Sequence, residues 1–409
     1  MDLLCRRCAG LDVHQQCVVA CARIQDCAPA SYETRTFETT TKGLLELSEW
    51  LSAHGCTHVA MEATGVYWKP VWHVLEGSFE LILANAQHIK NVPGRKSDVS
   101  DAQWIADLAA HGLIRASFVP SFATQQMRDL MRTRKQFVRE QVRHTQRIQK
   151  TLEDANIKLT TMLSDVMGQS GRKILDAIIA GEADPEKLAD LTDYRVRASR
   201  SAKVEALRGR VTDHHRLLLK LHLAQVDALD ASIAAIDKEV ERSLEPFRAK
   251  VKLLATMPGV SELVAQTIVS EIGDDMTRFP TTGHLVSWAG LCPQMNESAG
   301  KRRSTRIRKG APWLKTVLVQ AAWCAVRKKH SYFKAQYHRI RSRRGSKKAI
   351  VAVAASMLTS AHAMLSKNVA FTDLGATWFD LRDQTKTVKR LIHRLAEMGV
   401  EVEVKEKVA

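Results

Sequence analysis

Residues 10–14 read Gly10-Leu11-Asp12-Val13-His14, a short apolar strand with a carboxylate at its centre. A charge in that setting is costly unless it is paired or sits on a metal. Around it, residues 11–14, 17–24 and 32–38 have strand-forming composition and are separated by short turns. Residues 43–54, with Leu44, Leu45, Leu47 and Leu51, read as a helix. Residues 57–62 then read as a strand, 66–76 as a helix and 79–84 as a strand. Ser97 is placed to cap a helix over 98–111.

Three strands followed by helix, strand, helix, strand and helix is the element order of a ribonuclease-H-like α/β fold, although order alone does not decide function. In that fold the first and fourth strands are neighbours. Asp12 can then converge with Glu62, which ends the fourth strand in Met61-Glu62-Ala63-Thr64-Gly65. Asp98 and Asp101 stand three apart on the expected last helix and share a face, where like charges repel unless a cation lies between them. Four oxygen ligands favour Mg²⁺ or Mn²⁺ over zinc. Two such ions about 3.5–4 Å apart activate a nucleophile and stabilise the leaving oxygen of a phosphodiester. Taken singly, each acid has an ordinary reading: Asp98 as a first-turn helix residue, Glu62 as a surface acid.

Beyond about residue 115 the pattern turns helical. Residues 125–155 form one long basic helix with Arg128, Arg132, Arg134, Lys135, Arg139, Arg143 and Arg147. Leu219, Val226, Leu229, Ile233, Ile236 and Val240 keep three-to-four spacing, with His222 at an intervening position. This is a heptad seam of the coiled-coil kind, which either pairs with a second chain or folds back on the first helix. Gly168, Gly171, Gly181 and Pro185 mark turns. Further on, Met257-Pro258-Gly259-Val260 leads into Ala265, Ile268, Val269 and Ile272. The pattern fits a helix-hairpin-helix, whose helix N-terminus offers N–H groups to a phosphate, or an ordinary helical hairpin. Residues 385–398 form an amphipathic helix without an assigned role. The expected organisation is an α/β domain over 1–115, a helical coiled-coil region over 116–246, a mainly α-helical domain over 247–370 and a helical tail over 371–409.

The 409 residues carry a net charge of +17, unevenly placed. Residues 1–112 hold 9 Lys/Arg against 13 Asp/Glu, which leaves +21 for the remainder. Within it, 301–348 holds 17 Lys/Arg and no acid. Such a block is either a solvated surface or the seat of a polyanion. Trp313, Trp323, Tyr332, Phe333 and Tyr337 interleave with the cations, which suits backbone neutralisation combined with packing or stacking on bases. The expected nucleic-acid contacts are Arg128, Arg132, Arg139 and Arg143, with Lys301, Arg302, Arg303, Arg306, Arg308 and Lys309. No stretch reaches about 18 uncharged apolar residues. The most apolar, 349–365, is rich in small residues, carries His362, and reads as a buried helix. No apolar stretch follows Arg6 and Arg7. A cytoplasmic location is expected, with the eight cysteines reduced. Cys5 and Cys8 have zinc-like spacing, but no second pair follows, so Cys5, Cys8, Cys17, Cys21 and Cys27 read as small apolar residues.

A second centre of chemistry is Asn296-Glu297-Ser298-Ala299-Gly300-Lys301-Arg302, preceded by Gly290-Leu291-Cys292-Pro293. A hydroxyl beside several cations can have its alkoxide and a phosphate stabilised, although most loop serines do nothing of the kind. These motifs, with Met-Glu-Ala-Thr-Gly-Val-Tyr-Trp at 61–68, Lys96-Ser97-Asp98-Val99-Ser100-Asp101-Ala102 and Pro258-Gly259-Val260, resemble the IS110 family of insertion-sequence transposases over roughly 8–365. The resemblance implies a RuvC-like domain in which Asp12, Glu62, Asp98 and Asp101 hold divalent metal. It implies a C-terminal domain in which Ser298 forms a phosphoserine link to DNA. It also implies guidance by a structured bridge RNA, and sites assembled from different subunits of a dimer or tetramer. Ala299 stands where many relatives have glycine, and Ser304 is close enough to compete as nucleophile. Two rival readings are a two-metal endonuclease that needs no serine and a nucleic-acid-binding protein with a relic site.

Overall fold

The computed structural model describes residues 3–26, 29–63, 65–90, 92, 100–293, 296–298, 300–304, 306–307, 310–382 and 384–401. The chain forms two compact units, Met1–Val119 and Pro120–Ala409.

The first unit runs β1 (Arg7–Val13), β2 (Cys17–Ile24), β3 (Ser31–Glu38), α1 (Thr41–Ala53), β4 (His58–Glu62), α2 (Trp68–Leu75), β5 (Glu80–Ala84), α3 (Ala86–Lys90) and α4 (Asp101–Ala110). The strands make one sheet ordered β3-β2-β1-β4-β5. β1 pairs antiparallel with β2 and parallel with β4, and β4 pairs parallel with β5. The expected mixed α/β order is therefore present, with the first and fourth strands side by side. β1 begins at Arg7, earlier than its expected start at residue 11. It is central and covered on both faces, so Cys8, Ala9 and Leu11 are all buried and the polar/apolar alternation that marks a half-exposed strand is missing. On one face Leu11, Val13, Val59 and Met61 pack with Leu44, Leu47 and Leu51 of α1 and Val71 and Leu75 of α2. On the other, Ala60 packs with Ile105, Leu108 and Ala109 of α4.

Two devices fix α4 on the sheet. The first is steric: a Cβ on Gly10 would lie 2.2 Å from the Ala102 carbonyl oxygen and 2.4 Å from the Ala106 nitrogen, so the helix backbone rests directly on β1. The second is polar. Buried Arg23 of β2 donates to Asp107 at 2.9 Å, and the Tyr32 hydroxyl of β3 donates to the same carboxylate oxygen at 2.7 Å. The helix starts later than the expected 98–111. Ser100, not Ser97, is its cap, accepting the Gln103 N–H at 3.2 Å.

In the second unit, α5 (Phe122–Asp154) leads through α6 (Leu159–Met162), α7 (Gln169–Ala180), α8 (Pro185–Asp190) and α9 (Arg200–Ala206) to α10 (Asp213–Ser243). α10 packs antiparallel along α5: Arg134 meets Asp237, Gln141 meets Asp230, and Asp154 meets His215. The seam thus folds back within the chain. Leu219, Leu223, Val226 and Val240 are buried, while Leu229, Ile233 and Ile236 stay half-buried. Between these helices Gly181 is left-handed, with φ 107°, and ends α7. Gly171, expected in a turn, lies inside α7, where a Cβ would sit 2.0 Å from the Val166 carbonyl oxygen.

Next come α11 (Arg248–Ala255), α12 (Glu262–Ile272), α13 (Thr282–Trp288), β6 (Asn296–Ser298), β7 (Lys301–Ser304), α14 (Pro312–Ala325), α15 (Tyr332–Arg344), α16 (Ser346–Lys367), α17 (Trp378–Leu381) and α18 (Gln384–Glu397). α11 and α12 are joined by the Pro258-Gly259 turn. A Cβ on Gly259 (φ +81°) would meet the Ala321 carbonyl oxygen at 2.3 Å, so this turn is seated on α14. α16 is long and apolar enough to cross a membrane by length and composition, but it packs against α11, α13, α14 and α15 with nine residues buried.

α12 is locked to α5 by a buried carboxylate. Glu271 is 1% exposed and accepts two bonds from Arg132, both 2.8 Å, while Arg128 donates to the backbone carbonyls of Ser270 and Glu271 at 3.2 and 2.6 Å. Burial lowers the Arg128 pKa, partly offset by Glu271.

Three outcomes follow. Gly10→Ala should cost about 1–3 kcal/mol by overpacking against backbone that cannot yield, read as a lower melting temperature with faster hydrogen exchange in β1 and β4. Glu271→Ala should cost roughly 3–5 kcal/mol because Arg128 is left buried without its counter-charge, read by urea unfolding. The third concerns pH. His144 Nδ1 and His222 Nδ1 lie 3.3 Å apart between α5 and α10, and burial, then His144 and Arg147, hold the His222 pKa below its usual value. A depressed histidine pKa gives stability that is whole above the unfolded value of about 6.5 and is lost as pH falls through the folded one. Acid should therefore loosen this helix pair, and His222→Leu should flatten that part of the pH–stability curve.

Candidate active site

The sheet brings the expected carboxylates to one edge. Leu11 and Met61 are register partners, and Asp12 and Glu62 each stand one residue further on. Alternate strand residues share a face. Asp12 follows Gly10, which faces α4, by two. Glu62 follows Ala60, which packs on α4, by two. Both carboxylates therefore belong to the α4 side, at the C-terminal ends of two parallel strands. Asp101 opens α4 next to Ala102, whose carbonyl abuts Gly10. Asp98 lies outside the described residues. Asp12 Oδ2 lies 3.1 Å from His14 Nε2. Among the described residues, no group of three or more His, Cys, Asp or Glu is close enough to hold a metal ion. The donor chemistry itself, carboxylate oxygen from three separate elements, suits a hard cation such as Mg²⁺.

Ser298 ends β6, and its backbone pairs with Lys301 across a two-residue turn. The expected loop is thus the tip of a β-hairpin within a helical unit. Gly300 has φ +74°, which favours glycine. Ala299 lies outside the described residues. β7 carries Lys301, Arg302 and Arg303 and ends at Ser304, whose hydroxyl accepts the Arg306 N–H at 3.2 Å. Lys301 and Arg306 are exposed. Arg308 and Lys309 lie outside the described residues.

The long helix divides its arginines. Arg128 and Arg132 turn inward to Glu271, whereas Arg139 and Arg143 are exposed. Composition alone did not separate them. The readable signal was Glu271 itself, the sole charge in Ile268-Val269-Ser270-Glu271-Ile272, which demands a buried partner. The N-terminal cysteines are core residues: Cys5, Cys8 and Cys21 are buried and free, Cys17 is half-buried and free, and Cys27 lies outside the described residues. The hydrogen bond with Cys5, then burial, push the Cys8 thiol up, and burial pushes Cys56 up to about 11, which favours the protonated thiol at neutral pH.

Known proteins align with this arrangement. Residues 9–157 match the family described as Transposase, of the DEDD type of IS110, and residues 251–338 match the family described as Transposase IS116/IS110/IS902. A probable family 20 transposase of Pseudomonas aeruginosa is 26% identical over 273 residues, 66% of this chain and 71% of that protein. A pilin gene-inverting protein of Moraxella bovis is 21% identical over 378 residues, 88% of this chain and 96% of its own length. The mini-circle putative transposase for IS117 of Streptomyces coelicolor is 35% identical over 81 residues, 19% of this chain and 20% of that protein. The first family match contains Asp12, Glu62, Asp98 and Asp101 and the second contains Ser298, and on these two matches the chain belongs to the IS110 family of transposases, enzymes that cleave and rejoin DNA.

Proposed function

We propose that this transposase joins itself covalently to DNA through Ser298. The Ser298 hydroxyl attacks the phosphorus of a scissile phosphodiester. A bond forms from Oγ to phosphorus, the bond to one deoxyribose oxygen breaks, and that oxygen leaves with a proton. The phosphorus is then esterified to Ser298 and to the retained strand, so the hydroxyl of another strand can attack it, break the bond to Oγ, return the proton to the serine and complete strand exchange. Support comes from the place of Ser298 at a hairpin tip, its backbone paired with Lys301 and followed by Arg302 and Arg303. Those cations can offset charge on the pentacoordinate phosphorus. Ser304, the competing hydroxyl, already accepts a backbone N–H.

Asp12, Glu62, Asp98 and Asp101 would hold Mg²⁺ or Mn²⁺, which when bound supplies Lewis-acid stabilisation to phosphoryl oxygens. Asp12 and Glu62 on adjacent strands, and Asp101 opening the helix that rests on them, support that assignment. The substrates are the ends and target of an insertion sequence, selected by pairing with a structured bridge RNA. Arg139, Arg143, Lys301, Arg302, Arg303, Arg306, Arg308 and Lys309 hold the nucleic-acid backbone. The working species is a homodimer or homotetramer acting in the cytoplasm.

The test is covalent capture. The full chain, its flanking non-coding RNA and labelled element-junction DNA are incubated with Mg²⁺, and label is sought on denatured protein. Label should appear, vanish in Ser298→Ala and in Asp12→Ala, and persist in Ser304→Ala. Cleaved DNA with no label on protein, unaffected by Ser298→Ala, would make the enzyme a two-metal endonuclease and end the phosphoserine reading.

A further inference from the structure

A cleft of about 110 Å³ opens where α5, α12 and α14 converge. It lies well below the roughly 300 Å³ of sites for drug-sized ligands and has room for one ring system. Its walls differ in kind. Leu263 and Val264 of α12 and Val317 of α14 make an apolar wall. Trp313, at the start of α14, presents an aromatic face, with the Arg139 guanidinium 5.1 Å and the Arg132 guanidinium 5.8 Å from the ring centre. Lys135 and Gln320 complete the rim.

The charges there are not equivalent. Arg132 is committed to Glu271, and Arg134 to Asp237. The one acid in the lining, Glu271, is thereby neutralised from within. Among the described residues, neither Lys135 nor Arg139 has an ion pair, so the rim keeps two uncommitted cations above an aromatic and apolar pocket. Arg139 is exposed, so its long side chain is free to leave the ring and close again over a guest.

A planar apolar surface, an exposed guanidinium able to cover its far side and an ammonium beside it together match one chemical class: a nucleobase attached to a phosphate. We propose that this cleft captures a single unpaired nucleotide, its base stacked on Trp313, its phosphate on Lys135 and Arg139, and its edge within reach of the Gln320 amide. Double-helical bases are already stacked on one another and cannot enter, so the cleft distinguishes a bulged or single-stranded position from a paired one. The inference rests on the nucleic-acid part of the proposed function but not on the phosphoserine step.

The experiment uses the full chain in the Ser298→Ala background, so that binding is read without cleavage. The probes are duplexes with one bulged 2-aminopurine, as DNA and as RNA, beside the same duplexes without the bulge. Stacking one base on an aromatic ring contributes roughly fivefold to a hundredfold in affinity. The bulged probe should bind at least fivefold tighter than its duplex and its fluorescence should be quenched. Trp313→Leu should abolish both effects while leaving duplex affinity unchanged, Trp313→Phe should restore part of them, and Lys135→Gln with Arg139→Gln should flatten the salt dependence of bulge binding. The DNA and RNA arms identify the strand that supplies the nucleotide. Equal affinity for bulged and paired probes, or quenching unaltered in Trp313→Leu with melting temperature retained, overturns the proposal. Bulge selectivity in a protein that forms no phosphoserine when Ser298 is restored would sink the recombination mechanism and leave the cleft standing.

Discussion

The acidic site depends on a missing side chain. With only a hydrogen at Gly10, α4 lies against the centre of β1, and the spacing of Ala102, Ala106 and Ala109 keeps that whole stripe of the helix small. Close approach there fixes where α4 begins, and its beginning is Asp101. The same contact determines which face of β1 is turned to α4, and therefore where Asp12 stands two residues later. Arg23 and Asp107 hold the helix further along, so that it can neither slide nor roll. Asp12 and Glu62 are thus positioned by packing two residues away from them, and Asp101 by packing at the next residue, Ala102. That is a rigid way to hold groups that repel one another, because the repulsion is opposed by core contacts that do not titrate.

The second unit uses charge for the same purpose. A carboxylate as buried as Glu271 is unfavourable alone, and the two arginines on α5 make it tolerable while fixing the register between α5 and α12. Further along α5 the contacts are with α10, through Arg134 and Asp237. One long helix therefore carries a structural half and a solvent-facing half. Counting its arginines overstates its capacity for nucleic acid, since a guanidinium held by a buried carboxylate has its hydrogen-bonding fork already filled.

The α/β unit was legible because its strands and helices are short, bounded by turn residues, and ordered in a way few folds share. β1 was cut short because Cys8 and Ala9 sit in a strand buried on both faces, where composition carries no alternation. Two serines three apart, Ser97 and Ser100, are equally good caps on paper; Ser100 is the one that caps α4, two residues before Ala102 meets Gly10. The hairpin at Asn296–Ser304 was missed because its strands are three and four residues of polar chain. Nothing in them alternates, and a turn glycine alone does not announce a hairpin. The seam of α10 showed that the helix would pair, but its spacing suits an intramolecular and an intermolecular partner equally. The polar contacts with α5 made the choice.

The distribution of charge also constrains the proposed reaction. Carboxylates gathered to hold a cation repel the phosphodiester on which they are meant to act, and residues 1–112 are net acidic. Affinity for a polyanion must then come from the rest of the chain, where the +21 resides, and it follows the number of phosphates that chain neutralises. In that reading, metal binding and affinity for the polyanion fall on different stretches of sequence. A cation bound there, as proposed, would complete the catalytic groups and remove the local penalty against phosphate. In the proposed reaction the carboxylates at the ends of a central parallel strand pair would hold the cation, while cations on the exposed face of α5, such as Arg139 and Arg143, would hold the strand.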